Sequence, residues 1–202
     1  MGVFVVFEGG EGAGKTTQAR VLARRLEREG HPAVLIREPG GTSLGESLRP
    51  RLKGRSDVTP TAELLMFMAA RAQLVEQVIA PRLRAGESVV CDRFSASTLA
   101  YQGYGRGLSL STIDELSQVA TGGLQPHLNV LLDIPVASGL ARKGDGGKDT
   151  FESQEADFHE RVRKGYLEIA GGDPARWLVI DGAGPRNAVS AQVWEKVKPL
   201  LS

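Results

Sequence analysis

The stretch that most constrains this chain runs from Val3 to Thr17, V-F-V-V-F-E-G-G-E-G-A-G-K-T-T. Val3, Phe4, Val5, Val6 and Phe7 form an unbroken apolar run. Its β-branched and aromatic bias suits a strand buried on both faces. The run breaks into Gly9, Gly10, Gly12 and Gly14, followed by Lys15, Thr16, Thr17 and then a helical pattern. Gly9 and Gly14, with four residues between them and Lys15-Thr16 after them, fit the phosphate-cradling pattern G-x-x-x-x-G-K-[ST]. Glycine lets the backbone come close to a polyphosphate and adopt the positive φ angles of an anion-binding nest. The helix N-terminus that follows offers free N–H groups and a positive dipole end. Lys15 is placed to reach the β- and γ-phosphates, and Thr16 is suited to a Mg²⁺ ligand. A nucleoside triphosphate with magnesium is the expected ligand.

The chain has 202 residues, which suits one domain with a sizeable core. Lysine and arginine number 25 and aspartate and glutamate 24, a formal net charge of +1. That balance gives no sign of a nucleic-acid or anionic-membrane partner. No apolar run approaches the ~18 residues of a membrane span, and the N-terminal run leads straight into the glycine loop rather than a signal cleavage site. The one cysteine, Cys91, allows no internal disulfide and reads as core. These features point to the cytoplasm.

Along the chain, strands are expected at Ala33–Ile36, Ser88–Cys91, Leu128–Leu132 and Trp177–Ile180 as well as Val3–Phe7. Helical patterns cover Gln18–Arg28, Leu44–Lys53, Pro60–Ala85, Ser95–Gln102, a segment capped by Ser109 or Ser111 and ending at Thr121, Val136–Arg142, Glu152–Ala170 and Asn187–Leu200. Pro50 and Pro81 are candidate breaks or kinks. Gly103–Gly107 reads as loop. This alternation predicts a three-layer α/β fold, with a five-stranded parallel sheet covered by helices on both faces. Ligands on such sheets sit at the carboxyl ends of the strands.

Asp92 ends an apolar strand, where a phosphate-loop protein places the acid of its magnesium shell. Arg93 follows at once. Arg37, Arg49, Arg71 and Arg93 lie in or near the site segments, and an acceptor that already carries a phosphate needs such bidentate donors. Phe67 and Arg71, four apart on one helix face, can stack on a base and bond its edge. No N-K-x-D motif of the GTPase kind is present.

Four blocks carry a family resemblance: F-E-G-G-E-G-A-G-K-T-T-Q, R-E-P-G-G-T at 37–42, L-L-M-F-M-A-A-R-A-Q-L at 64–74, and C-D-R-F-S-A-S-T-L-A-Y-Q-G at 91–103. In this order and spacing the chain resembles the thymidylate kinases of bacterial type, from residue 3 to about residue 200. The resemblance implies transfer of the ATP γ-phosphate to dTMP with Mg²⁺, in a homodimer packed through its helices. It implies an ATP site at Gly9, Gly10, Glu11, Gly12, Ala13, Gly14, Lys15, Thr16, Thr17 and Arg142. For dTMP it implies Phe67 stacked on thymine, Arg71 at the base edge, and Ser97, Thr98 and Gln102 around the base. Tyr101 would crowd a 2′-hydroxyl, Arg49 and Arg93 would hold the phosphate, and Glu8 and Glu38 would belong to the same site. Thr16 and Asp92 would be the metal ligands.

A mobile lid at about 142–152 is implied as well, with its glycine-rich centre at 143–149. Some members place a catalytic arginine in the glycine loop. Here Gly12 stands there, so the lid should supply the charge. The family pattern D-R-x-E near the lid's end reads Asp149-Thr150-Phe151-Glu152 in this chain, with Thr150 in place of the arginine. Either Arg142, Lys143 or Lys148 substitutes, or turnover is slow; Arg142 near ATP and Lys148 as a lid cation are the expectation, beside Lys15 and Arg93 as catalytic residues. Three other readings stay open: a kinase for a different nucleotide or a sugar, a nucleotide-dependent switch or binding protein without an acceptor, and a protein that binds both nucleotides but turns over poorly.

Overall fold

The computed structural model describes residues 2–54, 57–143, 151 and 154–201. Its five strands are β1 (Phe4–Glu8), β2 (Ala33–Arg37), β3 (Ser88–Asp92), β4 (Leu128–Asp133) and β5 (Trp177–Asp181). All pair in parallel, in the order β2-β3-β1-β4-β5. The chain leaves β1 for one side of the sheet and later crosses to the other. The carboxyl end of β1 is therefore the switch point where a crevice opens.

The helices are α1 (Lys15–Arg28), α2 (Ser43–Gly54), α3 (Pro60–Leu74), α4 (Ala80–Arg84), α5 (Ser95–Thr98), α6 (Leu110–Thr121), α7 (Val136–Lys143), α8 (Ala156–Gly172) and α9 (Arg186–Val197). Alternation along β1 feeds two cores. Val5 and Phe7 pack with Leu22 and Leu26 of α1 and Val193 of α9, while Phe4 and Val6 pack with Leu74, Ile79 and Phe94. A parallel strand sandwiched by helices needs apolar side chains on both faces, which the run at the chain's start supplies. No helix among the described residues is long and apolar enough to cross a membrane.

Three helical segments differ from the sequence pattern. The Pro60–Ala85 pattern runs as α3, a π-helical segment at Val75–Ile79, and α4. Pro81 falls in the first turn of α4, where a missing N–H is tolerated because the ladder has just been reset. The pattern at Ser95–Gln102 does not give way to loop at Gly103. It continues in π geometry from Leu99 to Gly105. The glycines there serve close packing: a Cβ on Gly105 would stand 2.6 Å from the Phe158 ring. The helix expected from Glu152 begins at Ala156, after Glu155 in extended backbone.

Leu74 is fully buried where α3 meets the sheet. Leu74→Ala should lower stability by about 2–5 kcal/mol, read from urea denaturation, with ATP binding retained in the folded fraction.

Candidate active site

The glycine loop leaves β1 and wraps back into α1 through Gly14, which takes a left-handed conformation with φ 94°. At Gly12 the loop runs against α7 with no side chain between them. A Cβ on Gly12 would stand 1.9 Å from the Gly139 carbonyl oxygen, and one on Gly139 would stand 2.2 Å from that of Glu11. Nothing larger than glycine fits at Gly12 while α7 keeps its place, which excludes a loop arginine on simple steric grounds. Lys15 is buried, and its Nζ donates to the Gly10 carbonyl at 2.6 Å. Burial lowers the Lys15 ammonium to about 8, helped by the nearby Arg93 charge and opposed by Glu11, Asp92 and Glu8. The Thr16 hydroxyl donates to Asp92 Oδ2 in a short contact, so the loop threonine and the end of β3 meet side by side.

Arg93 leaves β3 with a left-handed backbone, φ 75°, an uncommon conformation for a bulky residue. Its N–H donates to the Phe7 carbonyl at 3.0 Å. The Cys91 thiol, which burial keeps well above its ordinary range, donates to the Arg93 carbonyl at 2.9 Å. Cys91 is core as expected, but it also fastens this turn. The Arg93 guanidinium donates to Glu11 Oε1 at 2.6 Å, to the hydroxyls of Tyr101 and Tyr166 at 3.2 Å each, and to the Gly9 carbonyl at 3.2 Å. Glu11 also accepts from the Tyr101 hydroxyl at 2.8 Å.

Beside this cluster Arg71 forms a second one. It is 1% exposed. Its Nε and Nη2 donate to both oxygens of Glu38, and Nη2 also donates to the Phe94 carbonyl and to Thr98 Oγ1. Burial raises the Glu38 carboxyl while the Arg71 charge and hydrogen bonds oppose that rise. Among the described residues Nη1 has only the weak Met68 sulfur acceptor at 3.9 Å, so its remaining N–H is available to a ligand.

One cavity of about 640 Å³ takes in the glycine loop and both clusters. Of the expected residues, Glu11, Gly12, Gly14, Lys15, Thr16, Thr17, Glu38, Arg49, Phe67, Arg71, Asp92, Arg93, Ser97, Thr98, Tyr101, Gln102 and Arg142 line it. Arg49 Nη1 donates to the Pro39 carbonyl at 2.6 Å. Arg142 reaches across to the β5–α9 loop and donates to the Gly182 carbonyl at 2.9 Å. Glu8 stands behind the cavity wall. It is fully buried, and it accepts from Phe94 N–H, Ser97 N–H, the Ser97 hydroxyl and the Tyr166 hydroxyl. Lys148 and Thr150 lie outside the described residues.

The sequence reading missed Arg20 of α1, Lys53 of α2, Leu35 of β2 and Phe151, all of which line the cavity. It also missed Tyr166. A signal for Phe151 existed, an aromatic residue beside the glycine-rich segment. No local pattern marks Tyr166, whose hydroxyl meets Glu8 across 158 positions of sequence.

A phosphate loop at the carboxyl edge of a parallel sheet, opening into a cavity that also holds an arginine-lined pocket with a partly buried aromatic ring, defines a nucleotide-dependent phosphotransferase of the small P-loop kinase class. The family model described as thymidylate kinase matches residues 7–193. A thymidylate kinase of Synechococcus sp. (strain JA-3-3Ab) is 51% identical over 98% of this chain and 97% of its own length. One of Deinococcus radiodurans is 46% identical over 97% and 96%. The crystal structure of thymidylate kinase from Ehrlichia chaffeensis superposes with a TM-score of 0.80 at 34% identity, covering 97% of this chain and 98% of that one. The chain belongs to the thymidylate kinase family.

The Lys15 environment gives a pH dependence with a definite sign. Between about 8 and the ordinary 10.5 the unfolded chain holds a proton that the folded, ligand-free protein has lost, so folding gains stability as pH rises through that window. A polyphosphate bound against Lys15 would restore the ammonium, so ATP binding should take up a proton above pH 8 or so. ATP affinity should therefore fall as pH rises past about 8, approaching roughly tenfold per unit. Titration calorimetry in buffers of differing ionisation heat should show the proton uptake, and Lys15→Met should bind weakly with a flat profile.

Proposed function

We propose that this protein transfers the γ-phosphoryl group of ATP to dTMP, giving dTDP and ADP, within a single kinase domain. The observation that supports this most is the shared cavity. The glycine loop, the arginines for an acceptor phosphate and the base-reading side chains all line the same space.

In this reading the loop N–H groups and Lys15 hold the donor phosphates. Arg93 and Arg49 hold the acceptor phosphate, and Phe67 stacks on thymine. The open N–H of Arg71 Nη1 donates to the base's 4-oxo group. Tyr101, its hydroxyl fixed by Glu11, lies against the sugar where a 2′-hydroxyl would stand. The oxygens of Thr16 and Asp92, already in contact, are hard donors of the type Mg²⁺ prefers, so they fit a magnesium site. There the ion would neutralise charge on the phosphates. The acceptor phosphate needs no general base, because a monoester with a second pKa near ~6 is already dianionic at neutral pH. The protein's task is in-line positioning and charge stabilisation on the transferring group. Arg142, beside the β5–α9 loop, is a further cation on the donor side. Lys148 is proposed for the same role from the sequence alone. A cytoplasmic setting agrees with the single, buried thiol.

With ATP and Mg²⁺, ADP release should be stimulated by dTMP and little by purine monophosphates. Phe67→Ala should raise KM for dTMP about ten- to a hundredfold, the loss of one base stack of roughly 1–3 kcal/mol, and leave ATP affinity alone. Stimulation by no monophosphate, in protein that still binds ATP, would sink this reading.

We also propose a homodimer packed through α3 and α6. These helices hold each other through Leu64, Met68, Ile113 and Ala120 and leave Leu65 half exposed and Val119 82% exposed. Apolar side chains presented this way suit a self-complementary interface. Sedimentation should give twice the chain mass, and Leu65→Asp should shift it to one.

A further inference from the structure

Glu63 neither lines the cavity nor reaches solvent. It sits in the first turn of α3 and is 3% exposed. Its Oε1 accepts from Gln102 Nε2 at 2.7 Å and from Arg106 Nε at 3.2 Å, and its Oε2 accepts from Arg106 Nη2 at 3.0 Å. Arg106 is itself held in place. Its guanidinium lies 5.7 Å from the Phe151 ring and 5.4 Å from the Phe158 ring, and Nη1 donates to Gln154 Oε1 at 3.3 Å.

Gln102 has two unlike ends on one flat group, an NH₂ that donates and an oxygen that accepts. A carboxylate paired with arginine only accepts. The NH₂ end must therefore turn to Glu63, at the back of the site. The amide oxygen is left for the cavity, which Gln102 lines, and it has no hydrogen-bond partner among the described residues. Among the side chains lining the cavity, Gln102 thus offers an acceptor, Oε1, and Arg71 a donor, the open N–H of Nη1.

Pyrimidines differ in this pattern. Thymine and uracil offer an N3–H donor beside a 4-oxo acceptor. Cytosine offers a bare N3 acceptor beside a 4-amino donor. With the amide oxygen in front, cytosine would set its N3 lone pair against Gln102 Oε1 and its amino group against the Arg71 guanidinium. An amide free to rotate would lose the first of these conflicts by turning its NH₂ forward.

We propose that Glu63, fixed by Arg106, is a positioning residue that locks the Gln102 amide with its oxygen toward the base, and so makes the site select 4-oxo pyrimidines over cytosine. This rests on the acceptor being a pyrimidine nucleoside monophosphate, as proposed above. The discrimination originates one residue behind the one that touches the base. Such sites reject the mismatched analogue because a buried polar group would be left facing its like.

The test compares kcat/KM for dTMP, dUMP and dCMP in the full chain and in Glu63→Gln, whose amide can donate as well as accept. The wild type should use dTMP and dUMP well above dCMP. Glu63→Gln should lower the dUMP-to-dCMP ratio about tenfold or more, the weight of roughly one good hydrogen bond. It should leave the dTMP-to-dUMP ratio alone, because the 5-methyl group is read elsewhere. Glu63→Asp, which keeps the carboxylate, should restore most of the lost discrimination. If all three substrates decline together at constant ratio in folded Glu63→Gln, the proposal is overturned and Glu63 is structural only.

Should Glu63→Gln fail to fold, the wild-type protein still decides. The Gln102 side-chain amide protons, observed by nitrogen-15 NMR, should exchange slowly with solvent whether or not dUMP is bound. Protection that arises only on dUMP binding would mean that the NH₂ faces the base, and would overturn the proposal. A wild type that phosphorylates none of the three pyrimidines yet binds ATP would instead strike the acceptor reading on which this one stands.

Discussion

The wall of the cavity around Arg93 is built on one buried carboxylate, that of Glu8. It ends the strand that starts the fold and is out of contact with water. Burial raises its pKa, while the Ser97 hydroxyl, the Arg93 charge, the Phe94 N–H and the Tyr166 hydroxyl oppose that rise. An acid in such a place costs several kcal/mol unless its lone pairs are met. Meeting them draws three segments together, because Glu8 ends β1 while its partners come from the turn into α5 and its first residues and from α8. Ser97 and Tyr166 pass the constraint on to Arg93, which has no freedom left except toward the cavity.

The same construction recurs around the site. Glu38 holds Arg71 by three of its N–H···O contacts, and Glu63 holds Arg106 and Gln102. Glu11, itself at the cavity edge, steadies Arg93 and Tyr101. Arg71, Arg93, Tyr101 and Gln102, which face the cavity, are thus each backed by an acid. This is preorganisation in the literal sense: the dipoles and charges that a phosphoryl group needs are in position before it arrives, and their reorganisation cost is met when the protein folds.

Much of this was legible in the chain itself, and the boundary of legibility is physical. The sheet and the glycine loop could be read because apolar runs and glycine spacing are local signals. The Phe67–Arg71 pair could be read because helix periodicity places residues four apart on one face. What escaped depends on tertiary pairing. Nothing near Glu63 in sequence points to Arg106, 43 positions on, and nothing near Tyr166 points to Glu8. The π-helical segments at 75–79 and 99–105 escaped because the apolar pattern of a π turn resembles that of an α turn. The glycines at 103 and 105 read as loop because their need for closeness lies in Leu110, Ile113 and Phe158 and not in their own neighbours. Glu8 was placed beside the acceptor from its motif, whereas its burial is a property of the folded wall.

The contact between Gly12 and Gly139 has a consequence for how such a protein can change over generations. The two backbones touch, so neither position accepts a side chain while the other stays where it is. A lineage could not gain a cation in the phosphate loop by one amino-acid replacement at Gly12. The helix bearing Gly139 and Arg142 would have to retreat first, and with it the cation that now sits against the β5–α9 loop. The two arrangements are separated by a valley of clashing intermediates, so a chain that starts with this pair of glycines is held to its own arrangement by geometry rather than by chemistry.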